Sequence, residues 1–373
     1  MTNRIIVKYE QKPCYTIAFE TSFDKLIEEL EKIYNLSEKK ICVVSDTNVY
    51  KLYGEEVVSI LKSKAKVVTD FVFEAGEASK NLNTVKKLYE KLICDKFDRK
   101  DVLVALGGGV VGDLTGFAAA TYLRGIDFVQ VPTTLLSQVD SSIGGKTGVD
   151  FDSYKNMVGA FYQPKLVYAN IKTFDTLSLR QFKSGMGEVI KHAFIKRKDQ
   201  FDYLKENSVK ILEEHDGDIL TQMVYESCLV KKEVVERDPK EKGERALLNF
   251  GHTVGHAVEK LANFELYHGE CVIIGVMAAL YISYKRGNIT ISEFRDAYRL
   301  ITEDYKFSLQ IPNIDSKEVL NVTKSDKKME NGKIKFILLK SIGEAYIDTT
   351  VTDEEILESI DVIKKNDWSF LNE

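Results

Sequence analysis

Histidine and glutamate residues in the second half of the chain have the types and spacing of a metal site. His252, His256 and His268 lie within one short stretch, and Glu188 lies upstream in Gly185–His192. Two imidazoles and one carboxylate are a common ligand set of catalytic zinc sites, in which a fourth position stays open for water or substrate. His252 and His256 are four positions apart, so on a helix both rings project from one face. The cluster predicts a metal centre, but its spacing does not decide which two histidines are ligands.

Ordinary core or capping histidines are the main alternative to a metal centre here. Three clustered histidines, each with a glycine within two positions, favour a site. The His252–His256 pair resembles the HExxH motif of zinc proteases, but position 253 is threonine, so the general base of that motif is missing. Lys191 follows Glu188 by one helical turn, which predicts a cation beside the metal carboxylate.

A glycine run in the first half of the chain predicts a phosphate-binding turn. The segment Leu103–Asp113 has the pattern of a strand, then Gly107, Gly108 and Gly109, then a helix. Glycines let the backbone approach a diphosphate, and the free N–H groups at a helix N-terminus favour an anion. The run does not match GxGxxG, so a tight strand-to-helix turn is the alternative.

Four polar residues in two other segments could contact a nucleotide. Asp46 and Asn48 follow a strand and could bind ribose hydroxyls, although such a pair is also typical of a helix cap. Glu77 and Lys80 are equally ambiguous by themselves.

A further polar segment suits an anionic group. Thr133–Gly148 combines hydroxyls and glycines with Asp140 and Lys146, and nearby in sequence are Arg124, Lys155 and Asn156. Cations among small residues predict a phosphate or carboxylate ligand, because little bulk prevents its close approach. Solvated surface charge is the alternative.

The elements that must position these residues change character along the chain. Buried strands are predicted at Lys40–Ser45, Asp101–Leu106 and Phe128–Pro132, with a helix at Leu82–Phe97. Strands that alternate with helices predict a parallel sheet with crossover helices, and this pattern continues to about residue 170.

From Leu179 onward helical periodicity dominates. Helices are predicted at Gly185–Ile195, Ile219–Glu236, Leu247–Leu261 and Gly269–Tyr284, and one half of a small hairpin at Lys333–Leu339. The sequence thus predicts a Rossmann-like parallel-sheet domain at residues 1–172 and a mainly helical metal- and substrate-binding domain at residues 173–373. A cleft between two such domains is the expected place for a ligand.

Composition argues against several other classes of protein. The chain has 373 residues and a formal net charge of −5, with 44% hydrophobic and 29% charged residues, which is ordinary for a globular protein. No basic cluster favours nucleic acid, and no long apolar segment or signal-peptide core favours a membrane or export. We therefore expect a cytoplasmic protein, and reduced thiols are favoured because its five cysteines are scattered without a CxxC pair.

Several long motifs together resemble the 3-dehydroquinate synthase family. They are GGGVVGDLTGFAAATYLRG, VPTTLLSQVDSSIGGKTGVD, KNMVGAFYQP, GMGEVIKH, ERALLNFGHTVGHAVE and HGE, in that family's order. The resemblance runs from about Asp46 to the region after Asp326. The resemblance implies a homodimeric lyase of the shikimate pathway that depends on NAD and on Zn²⁺ or Co²⁺. Its implied reaction converts 3-deoxy-D-arabino-heptulosonate 7-phosphate into 3-dehydroquinate and phosphate.

The resemblance also implies roles for individual residues. Glu188, His252 and His268 match metal ligands, which leaves His256 for acid–base chemistry and contact with the substrate phosphate. The residues that match NAD-binding positions are Asp46, Asn48, Glu77, Lys80, Gly108, Gly109, Val110, Asp113, Thr133, Thr134, Leu136, Asp140, Lys146, Lys155, Phe174 and Leu177. Those that match substrate contacts are Lys146, Lys155, Asn156, Lys191, Lys231, Arg245 and Asn249, with Lys327 or Lys328 as a late addition. Arg124 matches an arginine that reaches the phosphate in the neighbouring site of the dimer.

The implied chemistry is a transient oxidation by NAD, loss of phosphate, return of the hydride and intramolecular aldol closure. Aminocyclitol-type sugar-phosphate cyclases and metal-dependent polyol dehydrogenases are the alternative families. A simple dehydrogenase needs no cations for phosphate, and the KNMVGAFYQP and ERALLNFGH segments follow the dehydroquinate pattern. His192, Ala193 and Cys271 depart from the residues common in the family, but none of them is a proposed ligand.

Overall fold

The computed structural model of the chain describes residues 4–152, 154–241, 243–263, 265–311, 314–325, 329–330 and 333–372. The chain divides into two compact units, Met1–Leu177 and Ser178–Glu373, so the division falls five residues beyond the boundary expected after residue 172. Among the described residues, no helix has both the length and the apolar character needed to cross a membrane.

The N-terminal unit is an α/β domain. Its strands are β1 Arg4–Tyr9, β2 Lys12–Glu20, β3 Lys40–Asp46, β4 Val67–Phe73, β5 Val102–Gly107, β6 Asp127–Pro132, β7 Lys146–Phe151, β8 Tyr154–Phe161 and β9 Leu166–Asn170. Its α-helices are α1 Leu26–Glu31, α2 Thr47–Val49, α3 Glu55–Lys62, α4 Leu82–Cys94 and α5 Gly109–Thr121. Short 3-10 or π-helical turns occupy Leu36–Glu38, Tyr50–Gly54, Glu77–Ser79, Tyr122–Arg124, Ser137–Ser141 and Ile171–Thr176.

The main sheet of this unit has the strand order β1-β2-β9-β6-β5-β3-β4. The β1–β2 pair is antiparallel, and the other neighbouring pairs are parallel. Successive residues of β3 face opposite clusters: Ile41 and Val43 pack on the side of α1 and α3, whereas Cys42 and Val44 pack on the side of α4 and α5. Because helices cover both faces, the central strands are continuous apolar runs, as the sequence predicts. The Rossmann-like parallel sheet is thereby confirmed.

The C-terminal unit is mainly helical. Its α-helices are α6 Leu179–Lys196, α7 Lys198–Glu206, α8 Ser208–Leu212, α9 Gly217–Arg237, α10 His252–Leu261, α11 His268–Lys285, α12 Ile291–Arg299, α13 Ser316–Ser325 and α14 Asp353–Lys365. Its strands are β10 Met329–Glu330, β11 Lys333–Ile334, β12 Phe336–Ser341 and β13 Glu344–Asp348, and 3-10 or π-helical turns occupy Glu244–Asn249, Leu300–Asp304 and Ser369–Asn372. The predicted half-hairpin at Lys333–Leu339 divides between β11, which pairs with β10, and β12, which pairs with β13.

One helix prediction was wrong at its start. The sequence predicts a single helix over Leu247–Leu261, whereas the structure has a 3-10 turn, a break at Phe250 and Gly251, and then α10. Gly251 has a φ of +80°, and a Cβ there would lie 2.7 Å from the carbonyl oxygen of Val272. A residue with a side chain would suffer both strain and a clash, so glycine fixes the break. The break makes His252 the first residue of α10.

Helix α11 is apolar on all sides and buried from Cys271 to Ser283. It packs against α6, α10 and α14, which is expected of a helix without a polar face. Just past its C-terminal end, Arg286 donates two hydrogen bonds of 2.6 Å to Glu355 and one of 3.1 Å to Asp348. This bidentate pair ties the C-terminal end of α11 to the start of α14.

Replacing Arg286 by methionine should lower the free energy of unfolding by about 1–2 kcal/mol at neutral pH, because charge-assisted hydrogen bonds are lost. The hydrogen bonds from Arg286 hold the pKa of Glu355 below its ordinary value of 4.5. The stabilisation is therefore complete above that pH and is lost as the pH falls through the lower, folded-state pKa. Urea unfolding of both proteins over a series of pH values measures the difference.

The matched control for this prediction is Lys340→Met. Lys340 pairs with Glu344, but the two side chains are 58% and 60% exposed, so its loss should change stability little. The difference in the free energy of unfolding between wild type and Arg286→Met should be smaller at about pH 3 than at about pH 7. An equally large difference at both pH values would contradict the assignment.

Candidate metal centre and nucleotide site

Glu188 lies in the middle of α6 with its side chain fully buried. The close approach of α6 to α11 contributes to this burial, since a Cβ on Gly187 would lie 2.7 Å from the carbonyl oxygen of Gly269. A buried carboxylate needs compensating partners, because an isolated charge is costly to remove from water. The Lys191 ammonium contacts Oε2 from one turn along α6, where the sequence predicts a neighbouring cation.

His252, the first residue of α10, faces the other carboxylate oxygen. Its Nε2 lies 3.6 Å from Oε1 of Glu188, and its Nδ1 lies 3.2 Å from the carbonyl oxygen of Phe250. A carbonyl oxygen only accepts hydrogen bonds, so in the neutral ring Nδ1 carries the proton. The lone pair of Nε2 is then directed toward Glu188, as a metal ligand requires.

His268, the first residue of α11, faces the same oxygen. Its Nε2 lies 3.5 Å from Oε1 of Glu188, and its Nδ1 lies 3.2 Å from Oε2 of Glu259. Burial alone would lower the pKa of His268, but the carboxylates of Glu188 and Glu259 outweigh it and raise the pKa to about 9. The surroundings of His268 therefore favour positive charge, which a divalent cation would supply in place of the proton.

The three facing atoms fit a single divalent cation. Oε1 of Glu188 lies 3.6 Å from one Nε2 and 3.5 Å from the other. Bonds of about 2.0–2.1 Å in a tetrahedral zinc site place neighbouring ligand atoms about 3.4 Å apart. The Glu259–His268 contact is also typical of metal sites, in which a carboxylate orients the ring from its far nitrogen.

His256 lies beside both candidate ligands. Its ring centroid is 5.0 Å from that of His252 and 5.9 Å from that of His268. His256, Glu259 and His268 also offer ligand atoms within 4.8 Å of one another, as do Glu188, His252 and His268. In the group that contains Glu188, both histidines have Nδ1 in a polar contact and Nε2 facing one buried carboxylate oxygen. We therefore take Glu188, His252 and His268 as the candidate metal centre.

The residues predicted to bind NAD follow the carboxyl ends of parallel strands or lie on the β7–β8 hairpin. Asp46 and Asn48 follow β3; Glu77 and Lys80 follow β4; Gly108, Gly109, Val110 and Asp113 follow β5; Thr133, Thr134, Leu136 and Asp140 follow β6; Phe174 and Leu177 follow β9; and Lys146 and Lys155 lie on the hairpin. Carboxyl ends of parallel strands share one edge of a sheet, so residues after β3, β5 and β6 converge there. This edge is where open α/β sheets bind nucleotides.

The glycine loop lies against the turn that follows β6. A Cβ on Gly108 would lie 3.2 Å from Cγ2 of Thr134, and one on Gly109 would lie 3.1 Å from Oγ of Ser141. The N–H of Thr133 donates to the carbonyl oxygen of Gly107 at 3.0 Å. The N-terminus of α5 thus opens beside hydroxyl groups, an arrangement suited to a diphosphate.

Lys80 links predicted nucleotide and substrate residues within the N-terminal unit. Its buried ammonium donates to Oδ2 of Asp113 at 2.7 Å and to Oδ1 of Asn156 at 2.6 Å. Asn156 has a φ of +54°, and its N–H donates to Oδ1 of Asp150 at 2.7 Å. The network holds a hairpin residue beside the residues that follow β4 and β5.

The helix-cap role that the sequence allows for Asp46 is present. Its Oδ1 accepts hydrogen bonds of 2.9 Å from the N–H groups of Asn48 and Val49. These bonds engage Oδ1 alone, and ribose binding by Asp46 stays a prediction.

Other predicted ligand contacts differ in exposure. Lys146 and Lys155 are exposed on the hairpin, and Arg124 is exposed in a turn at a φ of +69°. Phe174 is buried in the core of its unit, and Leu177 is half-buried.

The C-terminal unit contains buried cations. Lys191, Lys231 and Arg245 are at most 6% exposed. Arg245 donates to the carbonyl oxygen of Pro239 at 2.8 Å, and the half-buried Asn249 donates to Glu241 at 3.2 Å. Lysine and arginine side chains form strong charge-assisted hydrogen bonds with phosphate and carboxylate groups, so these residues are chemically suited to an anionic ligand. Lys327 and Lys328, the predicted late substrate lysines, lie outside the described residues.

Sequence reasoning missed two features around the metal ligands. Glu259, which contacts Nδ1 of His268, lies three positions after His256, and a carboxylate at that helical spacing was a readable signal. The pairing of Arg180 with Glu270 gave no signal, because the two residues are 90 positions apart.

Replacing Glu259 by glutamine should weaken Zn²⁺ binding by about 10-fold or more, because the orienting charge at Nδ1 of His268 is lost. Competition with a chromophoric chelator measures the dissociation constant. Glu265→Gln, an exposed change near the same loop, serves as the control. Equal Zn²⁺ affinity of Glu259→Gln and wild type would show that this contact does not support the ligand.

Comparison with known proteins identifies the family of the chain. The profile of the 3-dehydroquinate synthase N-terminal domain matches residues 70–184, and that of the C-terminal domain matches residues 185–329. A 3-dehydroquinate synthase of Acetivibrio thermocellus is 46% identical over 324 residues, which cover 86% of this chain and 89% of the relative.

Two solved structures are similar over almost their whole length. A 2-deoxy-scyllo-inosose synthase complexed with carbaglucose-6-phosphate, NAD⁺ and Co²⁺ is 26% identical, with a TM-score of 0.85 and coverage of 97% of this chain and 99% of its own. The 2-epi-5-epi-valiolone synthase of Streptomyces hygroscopicus, with NAD⁺ and Zn²⁺ bound, is 25% identical, with a TM-score of 0.87 and the same coverage. Since both domain profiles match in sequence and the identity to a named member is far higher than to either cyclase, the chain belongs to the 3-dehydroquinate synthase family.

Proposed function

We propose that the chain converts 3-deoxy-D-arabino-heptulosonate 7-phosphate into 3-dehydroquinate and phosphate, using NAD and a divalent metal ion. One observation carries the proposal: ligand atoms of Glu188, His252 and His268 converge in a chain that is 46% identical to a 3-dehydroquinate synthase. The fold supports it, since nucleotide-type residues gather at the carboxyl edge of a parallel sheet.

Glu188, His252 and His268 would hold the ion, which we propose to be Zn²⁺ or Co²⁺, the ions bound in the two similar cyclases. When bound, such an ion would supply Lewis acidity toward a substrate hydroxyl, and NAD would supply a reversible hydride acceptor. The residues that follow β3, β4, β5, β6 and β9 would bind NAD in the N-terminal unit.

Cationic and polar side chains would bind the anionic groups of the substrate. The Lys191 ammonium balances the buried charge of Glu188 and can also donate to a substrate oxygen. We assign substrate binding to Lys146, Lys155, Asn156, Lys231, Arg245 and Asn249. A substrate held at this many points passes through successive steps without release, which lowers the entropic cost of each step.

We assign to His256 the exchange of a proton with the bound substrate or its phosphate. It is half-exposed, lies one turn beyond His252 on α10 and is not needed in the ligand set. Histidine titrates near neutral pH, so it can donate a proton at one step and accept one at another.

A cyclase that acts on another sugar phosphate is the nearest alternative, and substrate tests separate the two. Purified protein with NAD⁺ and Zn²⁺ or Co²⁺ should release phosphate from the heptulosonate phosphate and form 3-dehydroquinate. Turnover of glucose 6-phosphate instead would favour the aminocyclitol-type activity.

His268→Ala should abolish metal-dependent turnover and lower the bound metal, because one of three ligand atoms is removed. Phosphate release and metal content by elemental analysis are the two measurements. Wild-type phosphate release from a variant with no bound metal would overturn the ligand assignment.

Arg124→Ala should reduce activity strongly if the chain forms a homodimer in which Arg124 contacts the substrate phosphate in the neighbouring site. An isolated heterodimer of Arg124→Ala and His268→Ala subunits should then recover about half of wild-type activity, since one of its two sites has every residue. Homodimers of each variant are the controls. An inactive, verified heterodimer would argue against a role across the dimer.

A further inference from the structure

Arg180 joins the first turn of α6 to the first turn of α11. Its Nε and Nη2 atoms donate to the two carboxylate oxygens of Glu270, each at 2.8 Å. Nη2 also donates to the carbonyl oxygen of Glu265 at 2.9 Å, and the guanidinium lies 4.3 Å from the ring centroid of Tyr267. One side chain thus contacts the loop before His268 at two points and the helix after it at a third.

Glu270 in turn fixes the start of α11. Its Oε2 accepts a hydrogen bond of 2.8 Å from the N–H of Tyr267, the residue just before the helix. A carboxylate in the first turn also interacts favourably with the helix dipole. The Arg180–Glu270 pair therefore restrains the residues on both sides of His268.

The same two helices are in backbone contact beside the pair. The N–H of Gly269 donates to Oγ of Ser184 at 3.1 Å, and a Cβ on Gly269 would lie only 1.9 Å from the carbonyl oxygen of Ser184. This contact sets how closely α11 approaches α6 at Gly269. The bidentate pair adds a second, directional restraint on the same turn, because both oxygens and two nitrogens must stay aligned.

We infer that Arg180 is a positioning residue for the metal centre, acting through Glu270 to hold Nε2 of His268 toward Oε1 of Glu188. Glu188 lies eight residues after Arg180 on α6, and His268 lies two residues before Glu270 on α11. The pair thus connects the two helices that carry a carboxylate ligand and an imidazole ligand. This inference rests on the metal centre of the proposed function.

The pair is suited to positioning more than to global stability. The side chain of Arg180 is 48% exposed and that of Glu270 is 22% exposed, and ion pairs with such exposure contribute little to folding. Metal affinity is more sensitive, because residues that orient a ligand commonly change it by about 10–100-fold. Loss of the pair should therefore weaken metal binding much more than it weakens the fold.

The test compares Zn²⁺ affinity of metal-free wild type and Arg180→Met by chelator competition without NAD or substrate. We expect about a 10-fold or greater loss of affinity in the variant. With Co²⁺ in place of Zn²⁺, the visible ligand-field absorption of the Arg180→Met protein should be weaker than that of wild type or shifted from it. This absorption reports the coordination geometry of the bound ion. Arg180→Lys keeps the charge but not the paired hydrogen bonds. Its Zn²⁺ affinity should therefore lie between those of wild type and Arg180→Met.

Arg286→Met is the matched control, because it removes a bidentate arginine–glutamate pair beyond the opposite end of the same helix. It should reduce stability while leaving Zn²⁺ affinity and the Co²⁺ spectrum as in wild type. If Arg180→Met does not fold, Glu270→Gln, which keeps an oxygen acceptor for Tyr267 N–H, replaces it with the same expectation.

The outcomes separate the inference from the function on which it rests. Wild type that binds no Zn²⁺ would overturn the metal centre itself. Wild type that binds Zn²⁺, together with an Arg180→Met or Glu270→Gln variant of equal affinity, would overturn the positioning role alone. An affinity loss in Arg286→Met as large as that in Arg180→Met would also overturn it, because the effect would then follow general stability.

Discussion

The carboxylate of Glu188 is fully buried, and this buried charge is the constraint on which the arrangement of helices in the C-terminal unit depends. One oxygen contacts the Lys191 ammonium, and the other faces an imidazole nitrogen from each of two further helices. Leaving a buried carboxylate without such partners would be costly, so α6, α10 and α11 must meet in one particular arrangement. The same arrangement that stabilises the charge also creates a cation site.

Glycines determine how closely the three helices approach. A Cβ on Gly275 would lie 1.7 Å from the carbonyl oxygen of Gly251, and one on Gly255 would lie 2.7 Å from the carbonyl oxygen of Cys271. These positions and Gly269 let backbone pack directly against backbone at the points where α11 meets its neighbours. The two candidate histidine ligands lie at the first turns of α10 and α11, where cap and loop contacts can fix their orientation. The geometry of the site thus depends on small residues that carry no chemistry themselves.

Much of this could be predicted from the sequence, and the exceptions have physical reasons. The strands at residues 40–45, 101–106 and 128–132 were readable because burial on both faces leaves continuous apolar runs. The start of α10 could not be predicted from the sequence, because apolar periodicity continues through Phe250. The backbone conformation of Gly251, which ends the preceding turn, leaves no trace in that periodicity. Glu188 could be paired with His252 and His268 only through the family resemblance, since spacing cannot show that residues on separate helices meet. The Arg180–Glu270 pair is of the same kind: only the packed helices bring it together.

The most direct test of the metal centre is a crystal of the protein soaked in Zn²⁺ and measured on both sides of the zinc absorption edge. The account predicts one strong anomalous peak within bonding distance of Oε1 of Glu188, Nε2 of His252 and Nε2 of His268, at about 2.0–2.2 Å from each. The Nδ1 contacts of the two histidines should persist. A peak within bonding distance of His256, Glu259 and His268, and not of Glu188, would contradict it.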